Sequence, residues 1–320
     1  MTTPPRPDGH RPHLRRAPER KGFELQPRDI EVLRALYEHR LLTRSLFLPL
    51  FPPDPARTPA HLRTLHPKVP GTNLEKRLAQ LFHQGYVDRF RTVVGGELVY
   101  ALGNAGATLL RQRQPKLAIT LTDWAKKNRA LKLLFVEHTL MVARFRIALT
   151  VATRETPSTV IEAFLPEPRA PRLTWTRPGG RALVNPDAFF ILRDIALPEG
   201  RQRTAFFLEA DRSTMATKRL RQKFLDYSAL RNDRRHEQAP FSIPSFTVAT
   251  VCKSHERAAG LLRLAGGADS PLPASHRGMF VFTTEETYEA CLRNVLAAVW
   301  RSAAEPGHPR SLIASPLARA

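Results

Sequence analysis

Val184-Asn185-Pro186-Asp187-Ala188-Phe189-Phe190-Ile191-Leu192 and Ala205-Phe206-Phe207-Leu208-Glu209-Ala210-Asp211-Arg212 are the two stretches on which the reading of this chain turns. Each is an apolar run of strand length, and each carries acid at one end. Acids beside buried strands lose several kcal/mol of hydration unless a positive charge stands among them. A divalent cation would supply that charge, and hard carboxylate oxygens suit Mg²⁺ or Mn²⁺. The plainer alternative has Asp187 capping a strand and Asp211 capping the helix that follows. Spacing alone leaves both open.

Working outward, strand-like runs at 159–165, 182–192 and 203–210 follow a long helix at 129–152. The apolar side of that helix is Leu131, Leu134, Phe135, Val142, Phe145 and Leu149, with Glu137 and His138 on or beside it. A basic amphipathic helix is expected at 217–231, a strand at 245–251, a helix at 255–264, a strand at 279–282 and a closing helix at 285–300. Helices interleaved with strands imply a mixed sheet covered on both faces.

Upstream the pattern is helical. Ile30, Leu33, Leu36 and Tyr37 follow a 3.6-residue period, with Pro27 at a plausible first helical position. Thr43 can cap a short second helix, and a Pro-rich loop follows. A third helix at 73–83 turns Leu74, Leu78, Leu81 and Phe82 inward and is ended by Gly85. Strands at 87–92 and 97–102 meet at Val94-Gly95-Gly96, a hairpin signal, and Asn104 opens a fourth helix. Three helices and a hairpin are the layout of a winged helix-turn-helix. In that layout Lys76, Arg77 and Gln80 on the third helix would read duplex DNA, and Arg63, Lys68, Arg89 and Arg91 would touch phosphates.

Charge agrees with that partner: 50 Lys and Arg against 29 Asp and Glu leave a net +21. An Arg-rich compositional bias is the competing explanation. No apolar run is long enough to span a bilayer and no signal-peptide core is present, so no membrane is expected and the cytoplasm is the default location. The 2 cysteines, Cys252 and Cys291, lack metal-ligand spacing and are expected in the core. Gly95-Gly96, Gly179-Gly180 and Gly266-Gly267 are isolated pairs, which leaves phosphate-loop and dinucleotide chemistry without a motif.

The order helix, three strands, helix, strand, with Pro186-Asp187 and Glu209-Ala210-Asp211 on its second and third strands, resembles the PD-(D/E)xK nuclease core. That resemblance implies Asp187 and Glu209 as metal ligands and Glu137 as a helical acid. Where the superfamily has its lysine this chain has Asp211, so Arg212, Lys218 or Lys223 must stand in.

More narrowly, Arg28-Asp29-Ile30-Glu31-Val32-Leu33, Val99-Tyr100-Ala101-Leu102-Gly103-Asn104-Ala105-Gly106-Ala107, Glu137-His138-Thr139-Leu140 and the two acid-tipped runs resemble the bacterial replication-relaxation family. This implies a role in plasmid or mobile-element replication or mobilisation, with double-stranded DNA and plasmid replication or relaxase proteins as partners.

The expected organisation is a basic disordered tail (1–22), an α+β winged helix-turn-helix domain (23–111), a basic linker (112–128), an α/β mixed-sheet domain of PD-(D/E)xK nuclease-like topology (129–302) and a disordered tail (303–320). A metal-dependent endonuclease would use Asp187, Glu209, Asp211, Glu137, Lys218 and Arg212. The alternatives are a non-catalytic DNA-binding accessory protein, or a transcriptional regulator whose second domain binds a ligand or forms a homodimer.

Overall fold

In the first half of the chain, apolar side chains at helical spacing pack beneath a small sheet; in the second half, runs of phenylalanine build a large one. A computed structural model describes residues 15–16, 23–51, 71–92, 96–178, 180–291 and 293–313. The chain divides into two compact units, residues 1–143 and 144–320.

In the first unit α1 (Pro27–His39) begins with Pro27, and Asp29 accepts a 2.7 Å bond from the Gln26 N–H. Val32, Leu33 and Leu36 are buried. The strand β1 (Leu41–Thr43) and α2 (Arg44–Leu50) follow, then α3 (Gly71–His83), β2 (Val87–Arg91), β3 (Leu98–Leu102) and α4 (Asn104–Arg113). The strands form one antiparallel sheet in the order β1-β3-β2, one strand more than the expected pair. Leu74, Leu78, Leu81 and Phe82 are buried on α3, which ends at Gly85 with φ +80°. Thr43 does not cap α2: its hydroxyl pairs with Ser45 Oγ at 2.8 Å, and Glu97 accepts the Ser45 N–H at 2.6 Å.

Gly106 on α4 sits where an added Cβ would lie 2.2 Å from the Tyr86 carbonyl, so only glycine lets that helix approach. The segment expected as a linker holds α5 (Trp124–Arg129). Its buried Asn128 donates to Asp88 at 2.7 Å and to the Leu102 carbonyl at 2.9 Å, which ties it to β2 and β3. Of the expected N-terminal tail only Arg15 and Arg16 are described, and Arg16 lies over the Phe82 ring at 4.6 Å.

The division between units falls within α6 (Leu133–Glu155). Contrary to the expected apolar side of that helix, Leu134 and Phe135 are exposed, at 62% and 45%. The second unit continues with β4 (Thr159–Pro166), β5 (Leu173–Arg177), β6 (Gly180–Val184), β7 (Ala188–Asp194), β8 (Arg203–Asp211), α7 (Thr217–Asn232), β9 (Phe246–Cys252), α8 (His255–Gly266), α9 (Ala274–Arg277), β10 (Phe280–Thr284), α10 (Glu285–Ala290), β11 (Trp300–Ser302) and β12 (Pro309–Arg310).

Seven strands form a mixed sheet in the order β12-β11-β10-β9-β8-β7-β4, with β8-β9-β10 parallel and the flanking pairs antiparallel. Alternation sorts its aromatic side chains to two faces. Phe190 and Phe206 stack at 4.7 Å on one, beside Phe145 of α6. Phe207, Phe246 and Tyr227 of α7 meet on the other.

Four expectations are corrected here. The run 182–192 is not one strand: it breaks at Asn185-Pro186, and β6 pairs with β5 in a separate ribbon that the sequence reading missed. The closing helix stops at Ala290 because Arg293 takes φ +65° and Asn294 caps the turn, which brings the buried Trp300 ring to 6.1 Å from Phe145. The chain beyond 303 stays in the fold as far as the buried Leu312, since β12 pairs with β11. Cys252 is buried, but Cys291 is exposed. Among the described residues no helix is long and apolar enough to cross a membrane.

Candidate functional site

The acids of the second unit are placed by register. The β7–β8 pairing sets Ala188 opposite Leu208, so one step further Asp187 faces Glu209. The Ala210 N–H donates to Asp187 Oδ2 at 2.7 Å, and the Asp187 N–H donates to the Leu208 carbonyl at 3.0 Å. Asp187 therefore does cap a strand, while its charge still acts on Glu209.

Glu209 is 6% exposed, on the sheet face that α7 covers. Its two oxygens meet two α7 side chains: Lys223 Nζ donates to Oε2 and the Tyr227 hydroxyl donates to Oε1. Lysine and tyrosine four residues apart on a helix share one face, which is why both reach the same carboxylate. Neither was among the six residues chosen for catalysis from sequence, although Lys223 was named as a stand-in. The signal for the pair was the four-residue spacing on a helix that follows an acid-bearing strand.

The two partners of this bond are shifted in ways that look contradictory. Burial pushes the Glu209 carboxyl up to about 7, against the pull of Lys223, and Asp187 adds to the rise. Burial presses the other way on Lys223, but the charges of Glu209 and Asp187 outweigh it and raise its pKa. The two directions are compatible: burial, with Asp187 beside it, raises Glu209, while two carboxylates around one ammonium keep the lysine charged.

Asp211 is held from another helix, although its charge also acts on Lys223. Arg257 of α8 grips it bidentately, Nε to Oδ1 at 2.9 Å and a terminal nitrogen to Oδ2 at 3.0 Å, and the Ser213 N–H donates to Oδ1 at 2.7 Å. Arg257 was not foreseen. Lys218 is exposed five residues before Lys223, Arg212 is half-buried, and Glu137 is exposed on the part of α6 that belongs to the first unit. Among the described residues no group of three or more Asp, Glu, His or Cys side chains is arranged to hold a metal ion.

In the first unit the expected DNA readers part company. Lys76 and Gln80 are exposed on α3. Arg77 turns inward: its Nε donates to Asp29 Oδ1 at 2.7 Å, it donates to the Glu24 carbonyl at 2.6 Å, and it lies 4.6 Å from the Phe23 ring. Asp29 is 1% exposed and needs that cation, so Arg77 fastens α3 to the start of α1. Arg89 lies over Phe82 at 4.2 Å, and Arg91 donates to the Gly96 carbonyl. Arg63 and Lys68 lie outside the described residues, as does most of the hairpin turn.

The replication-relaxation family model matches residues 33–244, about two thirds of the chain, and spans Asp187, Glu209, Lys223 and Tyr227. The chain belongs to the replication-relaxation family. Membership of that family suggests a role in plasmid replication or mobilisation. No curated protein and no solved structure matches this replication-relaxation protein.

Proposed function

We propose that this protein binds double-stranded DNA in plasmid or mobile-element replication or mobilisation, and that its second unit is a nuclease-type core that cuts or nicks DNA with a divalent cation. The observation that carries the proposal is Lys223 on Glu209 beside Asp187. The cation that the sequence lacked at position 211 comes from the next helix, where Lys223 faces Glu209 and feels the charge of Asp187.

Asp187 and Glu209 would hold Mg²⁺ or Mn²⁺. Two carboxylates suit an ion that takes its remaining ligands from water and phosphate oxygens, whereas an all-protein cage would need donors that the described residues do not bring together. When bound, such an ion supplies an activated water and offsets charge on the phosphate. Lys223 keeps Glu209 oriented, and Tyr227 fixes its second oxygen. Lys218, Arg219 and Arg221, exposed on the first turns of α7, are placed to take DNA phosphates near the acids.

The first unit supports the DNA reading through its layout of helices α1 to α3 with the β2–β3 hairpin, read as a winged helix-turn-helix, with Lys76 and Gln80 as the side chains that would enter the major groove. Relaxase or replication proteins are the expected protein partners.

One observation favours a second reading, a non-catalytic platform: both Glu209 oxygens are engaged by protein groups and Asp211 is sealed by Arg257. Incubating supercoiled plasmid with the intact chain and Mn²⁺ or Mg²⁺ separates the two. Nicking that disappears in Asp187→Ala and Glu209→Ala and falls in Lys223→Met, with DNA affinity retained, establishes the enzyme. Binding without nicking in any divalent ion leaves the platform. DNA affinity should fall with salt at a log-log slope of about −0.9 per phosphate contacted, and salt-independent affinity removes the DNA reading altogether.

A further inference from the structure

Thr250, on β9, stands where an apolar residue would pack better. It is 3% exposed, and its hydroxyl has no hydrogen-bond partner among the described residues. The residues that share its side of the strand, Phe246, Val248 and Cys252, all belong to the apolar core. A buried hydroxyl without a partner is a net cost to folding, and valine would fill the same space without it.

Register gives the hydroxyl its surroundings. Thr250 pairs with Glu209 on the parallel neighbour β8 and with Phe282 on β10. Directly paired residues point to the same face of a sheet. On that face Glu209 meets Lys223 and Tyr227, and Phe282 lies 6.1 Å from Phe224, all three partners being on α7. Thr250 is thus enclosed between Glu209 and the aromatic core, under the same turns of α7 that carry Lys223 and Tyr227. The family match ends at residue 244, so nothing in it assigns a role to this position.

We propose that Thr250 is a third oxygen donor of the ion site built on Asp187 and Glu209, its hydroxyl binding the cation or a water of the cation's shell. The inference rests on the metal-binding reading of those two acids. It accounts for a polar group kept in an apolar strand at the one position that is in register with the paired acid. It also supplies a neutral oxygen to a set that is otherwise two carboxylates, in keeping with the mixed oxygen ligands of hard divalent ions.

The test uses the intact chain and MnCl₂ as the probe, with binding followed by calorimetry and thermal unfolding measured in EDTA. Thr250→Val is expected to weaken Mn²⁺ binding roughly tenfold, the size of effect found when groups supporting a metal site are removed, and to melt above the wild type without metal. Thr250→Ser, which restores the hydroxyl, should return the affinity to the wild-type value. Wild-type Mn²⁺ affinity in Thr250→Val, alongside loss in Glu209→Gln, removes Thr250 from the site and leaves the acids in it. A Val variant that binds weakly, melts below the wild type and is not rescued by Ser overturns the proposal in favour of packing. A wild-type chain that binds no Mn²⁺ overturns the ion site itself, and Thr250 with it.

Discussion

Replacing Glu209 by Gln should abolish a specific fall in stability between pH 4.5 and about 7. The carboxyl rises from an ordinary 4.5 to about 7 because burial, reinforced by Asp187, outweighs Lys223 and Tyr227. Below pH 4.5 the folded and unfolded chains both carry the proton. Between 4.5 and 7 the unfolded chain has lost it while the folded chain keeps it, so unfolding releases a proton and stability declines as pH rises. Above about 7 the folded chain is ionised too, and the loss is complete.

At roughly 1.4 kcal/mol per pH unit the loss comes to about 3 kcal/mol. A glutamine has no proton to lose, so the wild-type chain should give up about 3 kcal/mol relative to Glu209→Gln between pH 4.5 and 8. With a urea dependence of about 2 kcal/mol per molar, the two midpoints should diverge by about 1.5 M. Urea unfolding at four pH values in EDTA, followed by tryptophan fluorescence, measures this, since Trp175 and Trp300 are both buried in the second unit. Midpoints that keep a constant separation from pH 5 to 8 would refute the reasoning. A wild type that gains on the variant as pH rises would mean that Lys223 holds Glu209 as an ordinary ion pair.

Three further outcomes follow, two from the first unit and one from α8 of the second. Arg77→Ala should lower its stability by about 3 to 5 kcal/mol, because Asp29 is left buried without its cation; thermal unfolding checks this, and a loss confined to DNA affinity would contradict it. Gly106→Ala should cost about 1 to 3 kcal/mol by driving a methyl group into the Tyr86 carbonyl, measurable as a lowered urea midpoint, while Gly260→Ala, where an added Cβ meets nothing within 4 Å, should be neutral or stabilising.

What could be read in advance followed the periodicities. The leucine spacing of α3 and the continuous apolar run of β8 gave elements in the right places, because a helix buried on one face shows it every turn and a strand buried on both faces shows it at every residue. The acids were legible as acids but not as a set. Asp187, Glu209 and Asp211 are alike in sequence, and what separates the last two is which cation reaches them: Lys223 for Glu209 and Arg257, 46 residues on, for Asp211.

The pairing of Arg77 with Asp29 escaped the sequence reading for the same reason. The arginine's position on the polar side of α3 was correct, but a polar side can face a buried aspartate as well as water, and Asp29 lies in another helix. The β5–β6 ribbon was hidden by an apolar run that continues across Asn185-Pro186, and the turn after α10 depends on Asn294, whose capping bonds have no periodic signature.

The ends of the seven-stranded sheet bear on how copies of this protein can meet. At one end β12 is two residues long and begins with Pro309, which has no N–H to offer a neighbour. At the other, β4 is bent by an irregularity between Ile161 and Ala163, and the charged Glu162 stands at the bend, paired with Arg203. Neither border gives an incoming strand a straight row of backbone donors and acceptors to extend. The large sheet is thereby a poor template for strand addition, and a homodimer that used its face or its ends would have to be made by side chains.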